Sequence, residues 1–229
     1  MANDFPVVFA LYPHVTQLDF TGPLEVLSRL PGTRIVLAAS RGGELAAEGG
    51  VTFANVQPLA KVLECALLCV PGGFGCGAAM EDPVYLAALR RLAAGAHYVT
   101  SVCTGSLLLG AAGLLRGRRA ACHWAFRDLL PVFGAIPDAA RVVRDGNVFT
   151  GGGVTAGIDM ALTVMAEIAG HEHAQAVQLG LEYAPDPPFA AGHPDVAPAE
   201  VVAAVRRRLA EAWAERFAVA QRVAAEHFA

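Results

Sequence analysis

Residues 92–115 contain no charged side chain. A run of that length either crosses a bilayer, which takes ~20 apolar residues, or belongs to a heavily buried interior. Its contents decide between them. Gly95, His97, Thr100, Ser101, Thr104, Gly105 and Ser106 lie inside it, with no aromatic belt and no one-sided positive flank. The run therefore reads as the core of a soluble α/β fold. The same hydrophobicity, 55% of residues with only 17% charged, excludes a disordered chain. At 229 residues the chain suits one domain with an appended element, too long to depend on disulfide staples. The N-terminus lacks signal-peptide character: Asp4 comes early, no Lys or Arg precedes the apolar run at 5–11, and Pro13 ends it. A cytoplasmic protein with five reduced thiols is the expectation.

The net charge of −4 excludes a nucleic-acid footprint. Arg206, Arg207 and Arg208 form the one basic triplet, and Glu200, Glu211 and Glu215 around it mark a solvated helix face. Lys61 is the sole lysine, so Schiff-base chemistry would hang on that residue alone. No Cys or His pair has zinc spacing; His171 and His173 stand only two apart, so no metal is expected.

Short apolar runs at 5–11, 34–39, 66–70 and 97–102 read as buried strands, alternating with helices from Thr21 to about 29, at 83–94, 106–115, 155–168 and 173–182. Thr21 is the expected cap of the first helix, with Pro23 in its first turn. Gly42–Gly43 and Gly49–Gly50 bracket a hairpin. Residues 118–122 read as a short strand and 124–130 as a short helix, and Asp145–Gly146 signals a type I′ hairpin within 141–150. Strands alternating with helices imply a mostly parallel sheet covered on both faces. A Pro-rich connector at 184–198 leads to one long helix at 200–227. The chain divides into a domain over residues 1–183 and an appendage over 184–229, packed on the domain or on a dimer partner.

The strongest chemical feature lies inside the uncharged run. A strand ends at Val102, Cys103 turns, and a helix starts after Thr104 and Gly105. That is the pattern of a nucleophile elbow, where helix N–H groups and their positive potential lower a thiol's pKa and Gly105 relieves crowding. The commonest fate of a free cysteine is a small buried hydrophobe; the setting favours the nucleophile here and the bland role for Cys65, Cys69, Cys76 and Cys122. PGGFG at 71–75 follows the neighbouring strand. Either it is a tight turn only, or its Gly73 N–H joins that of Thr104 in an oxyanion-type hole. Gly72 stands beside it, and the Walker and dinucleotide patterns are missing. Asp19 follows the first strand and is either an ordinary cap or an acid–base partner for the thiol. His123 reads first as a core-edge residue capping the next helix, Trp124 as a pocket wall, and Val154 as core or pocket lining.

LDFTGP (18–23), VPGG (70–73), TSVCTG (100–105), ACHW (121–124) and GGGVTAGID (151–159), with QLGLEYAP (178–185) in the tail, together resemble the ThiJ/PfpI superfamily, most closely its isocyanide (isonitrile) hydratase branch. The resemblance covers nearly the whole chain. It implies a flavodoxin-like three-layer sandwich, a homodimer, a cysteine nucleophile at Cys103, and an acidic contact to it at Asp19. Many branches carry Glu at that place, and the protease-like and amidase-like branches carry His where this chain has Thr104. The Asp19 and Thr104 combination is that of the hydratases. The resemblance further implies a hydro-lyase acting on a small-molecule isocyanide and water, without metal or organic cofactor, through a covalent thioimidate on Cys103. In it Asp19 moves protons, the Thr104 hydroxyl positions thiolate or water, and the Gly73 and Thr104 N–H groups hold developing charge. The same motifs occur in N-terminal domains of AraC-type regulators, so a non-enzymatic ligand- or redox-sensing module is the alternative; the residues after Pro198 are too few for two helix-turn-helix units.

Overall fold

The computed structural model describes residues 4–228; the expected units begin and end at Met1 and Ala229, which lie outside that range. In chain order the elements are β1 (Phe5–Leu11), α1 (Gln17–Leu27), β2 (Thr33–Ala39), β3 (Gly43–Ala46), β4 (Thr52–Pro58), β5 (Leu67–Val70), α2 (Cys76–Met80), α3 (Pro83–Gly95), β6 (Tyr98–Val102), α4 (Gly105–Ala111), β7 (Arg119–Ala120), β8 (Ile136–Pro137), β9 (Val142–Asp145), β10 (Val148–Gly151), α5 (Ala156–Ala169), α6 (His171–Gly180) and α7 (Ala199–Phe228).

Eight strands form one sheet in the order β3-β4-β2-β1-β5-β6-β10-β9. The five central strands and β4 pair in parallel, while β3 and β9 fold back antiparallel as hairpins at the two edges. The central order 2-1-5-6-10 is the flavodoxin-like one, in which the chain leaves β1 for β2 on one side and returns to β5 on the other. The crevice beyond the carboxyl ends at that switch is where such folds place ligands. Helices α1, α5 and α6 pack together against one face, and α2, α3, α4 and α7 against the other.

The apolar runs become what their composition requires. Every residue of β5 is buried, as are all of β1 after Phe5. The uncharged run turns into the end of α3, all of β6, the turn at Cys103 and the fully buried α4. No helix among the described residues is long and apolar enough to cross a membrane.

One sequence expectation is corrected, and two features add to the reading. The first helix starts at Gln17, a turn earlier than Thr21, with Thr16 at its cap position. Thr21 Oγ1 instead bonds back to the Gln17 carbonyl at 2.9 Å, and Pro23 sits inside the helix. Asp19 is thereby lifted into the first turn of α1. The PGGFG segment is followed at once by α2, a short helix unsignalled by any cap residue, since its cap position is Gly75. The second half of the tail helix packs on α2, α4 and the 3-10 turn at Arg127–Phe133, burying Arg216, Val219, Ala220 and Val223.

Candidate active site

β6 delivers Cys103 to the carboxyl edge of the sheet, and α4 begins two residues later. Cys103 has φ 58°, a left-handed backbone that a non-glycine residue rarely holds. The strain keeps its side chain out of both strand and helix, as an elbow requires. Gly105 makes the turn possible: a Cβ there would stand 2.0 Å from the Val70 carbonyl oxygen.

Around Cys103 the structure gathers Asp19, Thr104, Gly72 and Gly73. Asp19 is fully buried. Its Oδ2 accepts the Gly72 N–H at 2.9 Å, and its Oδ1 has no nitrogen or oxygen partner. The neighbouring Cys103 thiol is the other polar group that acts on this carboxyl. Burial lifts Asp19 from its ordinary 3.8 to about 7; the Gly72 N–H and the Cys103 thiol pull it down, and the charge of Glu48 pushes it up.

The thiol departs from expectation. The Thr104 N–H does favour the thiolate, but burial pushes Cys103 well above its ordinary value and the Asp19 charge pushes it further. A helix N-terminus therefore does not make this a free-standing thiolate; burial and the neighbouring carboxylate both hold the proton on the sulfur.

The expected pair of backbone donors is corrected too. The Gly73 N–H donates to Thr104 Oγ1 at 3.1 Å and so is taken; the Thr104 N–H alone faces the sulfur. Gly72 lies beneath the cavity rather than in its wall. A Cβ on it would come within 2.6 Å of the Thr104 nitrogen, 2.7 Å of Thr104 Oγ1 and 2.8 Å of Asp19 Oδ2. Gly72→Ala is accordingly expected to lower kcat/KM about 10²-fold by displacing both groups, since about 1 Å of misplacement costs that much. Activity assay beside circular dichroism, which should stay native, checks it.

Over the thiol lies a cavity of about 200 Å³, walled by Thr16, Gly73, Phe74, Thr104, His123, Phe126 and Val154, and by Val205, Arg208, Leu209 and Arg216 of α7. His123 is held neutral: burial, then the Arg216 charge, lower it to about 4. Its Nδ1 accepts the Ala125 N–H at 3.3 Å, a bond within the local turn and not the expected helix cap, since Phe126 takes the cap position of the following 3-10 turn without any side-chain cap bond. Trp124 is corrected: it lines a separate cleft with His193, Pro194 and Val201, under the guanidinium of Arg206. Cys76 touches the site only through the Thr104 carbonyl, at 3.5 Å, and burial pushes its thiol to about 11. A larger groove, about 400 Å³, runs along α5 and α6 past Arg144, Glu167 and His171, away from the thiol.

Two contributors escaped the sequence reading. Glu48, at the turn between β3 and β4, accepts the Thr16 hydroxyl at 3.1 Å and the Phe74 N–H. It had no sequence signal, because only the hairpin fold brings it here. Arg216 did have one. The buried stripe of α7 runs through Val202, Val205, Leu209, Ala212, Val219 and Val223, and Arg216 occupies the stripe position between Ala212 and Val219.

Comparisons with known proteins identify the family. Over 221 residues, 95% of this chain and 96% of the relative, it is 52% identical to the isonitrile hydratase of Pseudomonas putida. It is 31% identical, over 74% of its length, to the HTH-type transcriptional regulator CdhR of Pseudomonas aeruginosa, matching 52% of that protein. The crystal structure of a ThiJ/PfpI family protein from Pseudomonas syringae superposes with a TM-score of 0.92 at 41% identity, covering 96% of this chain and 91% of that one. With the DJ-1/PfpI family profile matching residues 6–167, this chain belongs to the DJ-1/PfpI family.

Proposed function

We propose that this protein is a hydro-lyase that hydrates isocyanides, R–N≡C, to N-substituted formamides through a covalent adduct on Cys103. The observation that carries the reading is the buried pairing of Cys103 on its elbow with Asp19, under a cavity whose histidine is held neutral. The similarity to an isonitrile hydratase over nearly the full chain supports it.

The terminal isocyanide carbon accepts both a nucleophile and a proton. Cys103 sulfur attacks it while the pair's proton, passing through Asp19, is delivered to the same carbon, giving the thioimidate R–N=CH–S–Cys103. Water then adds across the C=N bond: its oxygen bonds to carbon, and Asp19 takes one of its protons and passes it to the nitrogen. The C–S bond breaks as the new hydroxyl loses its proton, releasing R–NH–CHO and restoring the pair. Covalent catalysis divides one difficult hydration into smaller steps. Thr104, with its hydroxyl anchored to Gly73, stands next to the sulfur to orient the incoming water. The cavity walls at Phe126, Val154 and Leu209 favour an apolar R group.

Incubation with an aryl isocyanide, followed by ultraviolet absorbance and intact-protein mass spectrometry, tests this. Formamide product and a trapped adduct mapped to Cys103 are expected, with kcat/KM rising as pH climbs through about 7, where Asp19 gives up the second proton of the pair. Binding without turnover would instead favour a ligand-sensing module, the reading that similarity to the regulator CdhR keeps in view. Ammonia release from amides, with the isocyanide ignored, would point to an amidase-like enzyme.

A further inference from the structure

The segment Pro71–Phe74 carries the donors that define the site, and each of its three peptide units is held at both ends. In the first, the Pro71 carbonyl accepts the Tyr12 hydroxyl at 3.0 Å and the Gly72 N–H donates to Asp19. In the second, the Gly72 carbonyl accepts the Thr16 N–H at 3.0 Å and the Gly73 N–H donates to Thr104 Oγ1. In the third, the Phe74 N–H donates to Glu48 Oε1, while the Gly73 carbonyl accepts the Cys76 N–H at 3.2 Å and Arg216 Nη2 at 3.0 Å.

Every one of these clamps comes from the first part of the chain except the last. Arg216 reaches in from α7, more than a hundred residues away in sequence. It is only 4% exposed, and no carboxylate among the described residues pairs with it. The faces of Phe126 at 4.2 Å and Phe74 at 5.5 Å receive its charge instead. A buried guanidinium is expensive to desolvate, and among the described residues its hydrogen bond goes to the carbonyl of the loop that holds Asp19 and Thr104.

From this juxtaposition we infer that Arg216 is a positioning residue, a latch by which the C-terminal helix sets the Pro71–Phe74 loop in the shape that aims the Gly72 and Gly73 N–H groups at Asp19 and Thr104. Releasing the Gly73 carbonyl lets the loop relax, lengthening the Gly72 bond that favours the Asp19 carboxylate. The groups facing Asp19 are Cys103 of the elbow, Glu48 of the β3–β4 turn, Tyr12 after β1 and Cys69 of β5, and Arg216 is not among them, so its effect on the carboxyl runs through the loop. The consequence for turnover rests on the isocyanide reading; the consequence for the loop does not.

The test compares Arg216→Met, which keeps the apolar stack on Phe126, with Arg216→Lys, which restores a charged N–H donor. Val219→Ala serves as a control that thins the packing of the same helix away from the cavity. Arg216→Met is expected to lower kcat about tenfold or more with a smaller change in KM, and to move the lower limb of the pH profile upward. Arg216→Lys is expected to recover much of both, and Val219→Ala to move neither. Wild-type kcat and an unmoved limb in Arg216→Met would overturn the inference, and so would the same losses in Val219→Ala. If the wild type fails to hydrate aryl isocyanides, the functional reading falls separately. The latch is then judged on the pH dependence of Cys103 alkylation by iodoacetamide across the same variants: an altered profile in Arg216→Met alone upholds it, and identical profiles sink it.

Discussion

Cys103→Ala is expected to abolish isocyanide hydration, with kcat down on the order of 10⁴-fold or more, as removal of a covalent nucleophile does elsewhere. No other thiol can replace it. Cys65, Cys69, Cys76 and Cys122 are all buried and pushed up as thiols, and none lines the cavity above the elbow. The fold should survive. Alanine keeps the Cβ that φ 58° already accommodates, so no new backbone strain enters. The lost sulfur leaves a void worth only about 1 kcal/mol. Circular dichroism and thermal melting close to wild type, with neither formamide nor adduct, is the expected combination. Retained turnover of an aryl isocyanide by a folded Cys103→Ala protein would rule out the covalent route.

The elbow was readable because it violates the pattern around it. A continuous apolar strand that stops at Cys-Thr-Gly, with helical composition resuming at once, leaves few geometries open, and the sheet followed from similar runs at 5–11 and 66–70. Local signals failed where tertiary context reverses their meaning. Pro23 marks a helix start in isolation, yet here the helix begins earlier and packs around it. The helix N-terminus after Cys103 predicts a lowered thiol pKa only if burial and a neighbouring acid are left out, and Asp19 lies 84 positions before Cys103 in the sequence. Glu48 reaches the site through a hairpin, which composition cannot orient. Arg216 was hidden differently: the triplet at 206–208 drew the eye to charge on the helix, while the one arginine on the apolar stripe was the one that mattered.

These misses share a cause. The acid, the thiol and the loop donors are each ordinary residues; their chemistry comes from being dry and held. The apolar run at 92–115 supplies the dryness through β6 and α4, and α7 closes the cavity from above. Low charge, which first raised the question of a membrane span, is what raises the Asp19 carboxyl into the neutral range.

Asp19→Asn carries that logic to its sharpest consequence, because it should harm catalysis and help the fold at once. The amide still offers an oxygen to the Gly72 N–H but neither gives nor takes the proton that the thioimidate steps require. A loss of about 10²–10⁴-fold in kcat is expected, the range for a general acid–base group, and the rise of kcat/KM through about pH 7 should disappear with the carboxyl that titrates there. Stability runs the other way. The folded protein holds the Asp19 proton up to about 7, whereas the unfolded chain releases it near 3.8. The native state therefore binds more protons at this site across that interval, so Asp19's contribution to stability is fully present below about pH 4 and is lost as pH rises through about 7. At neutral pH that interval amounts to a cost on the order of 4 kcal/mol, with no solvent screening to discount because the group is fully buried. Asparagine has no charge to desolvate, so the variant should melt about 5 °C or more above wild type at pH 8, and the gap should close as the pH is lowered toward 4. Parallel melts at pH 8, 6 and about 4.5, with turnover measured on the same preparations, check both halves. A variant that melts below wild type at pH 8 would mean that Asp19 is not the strained, proton-hungry carboxyl on which the proposed chemistry depends.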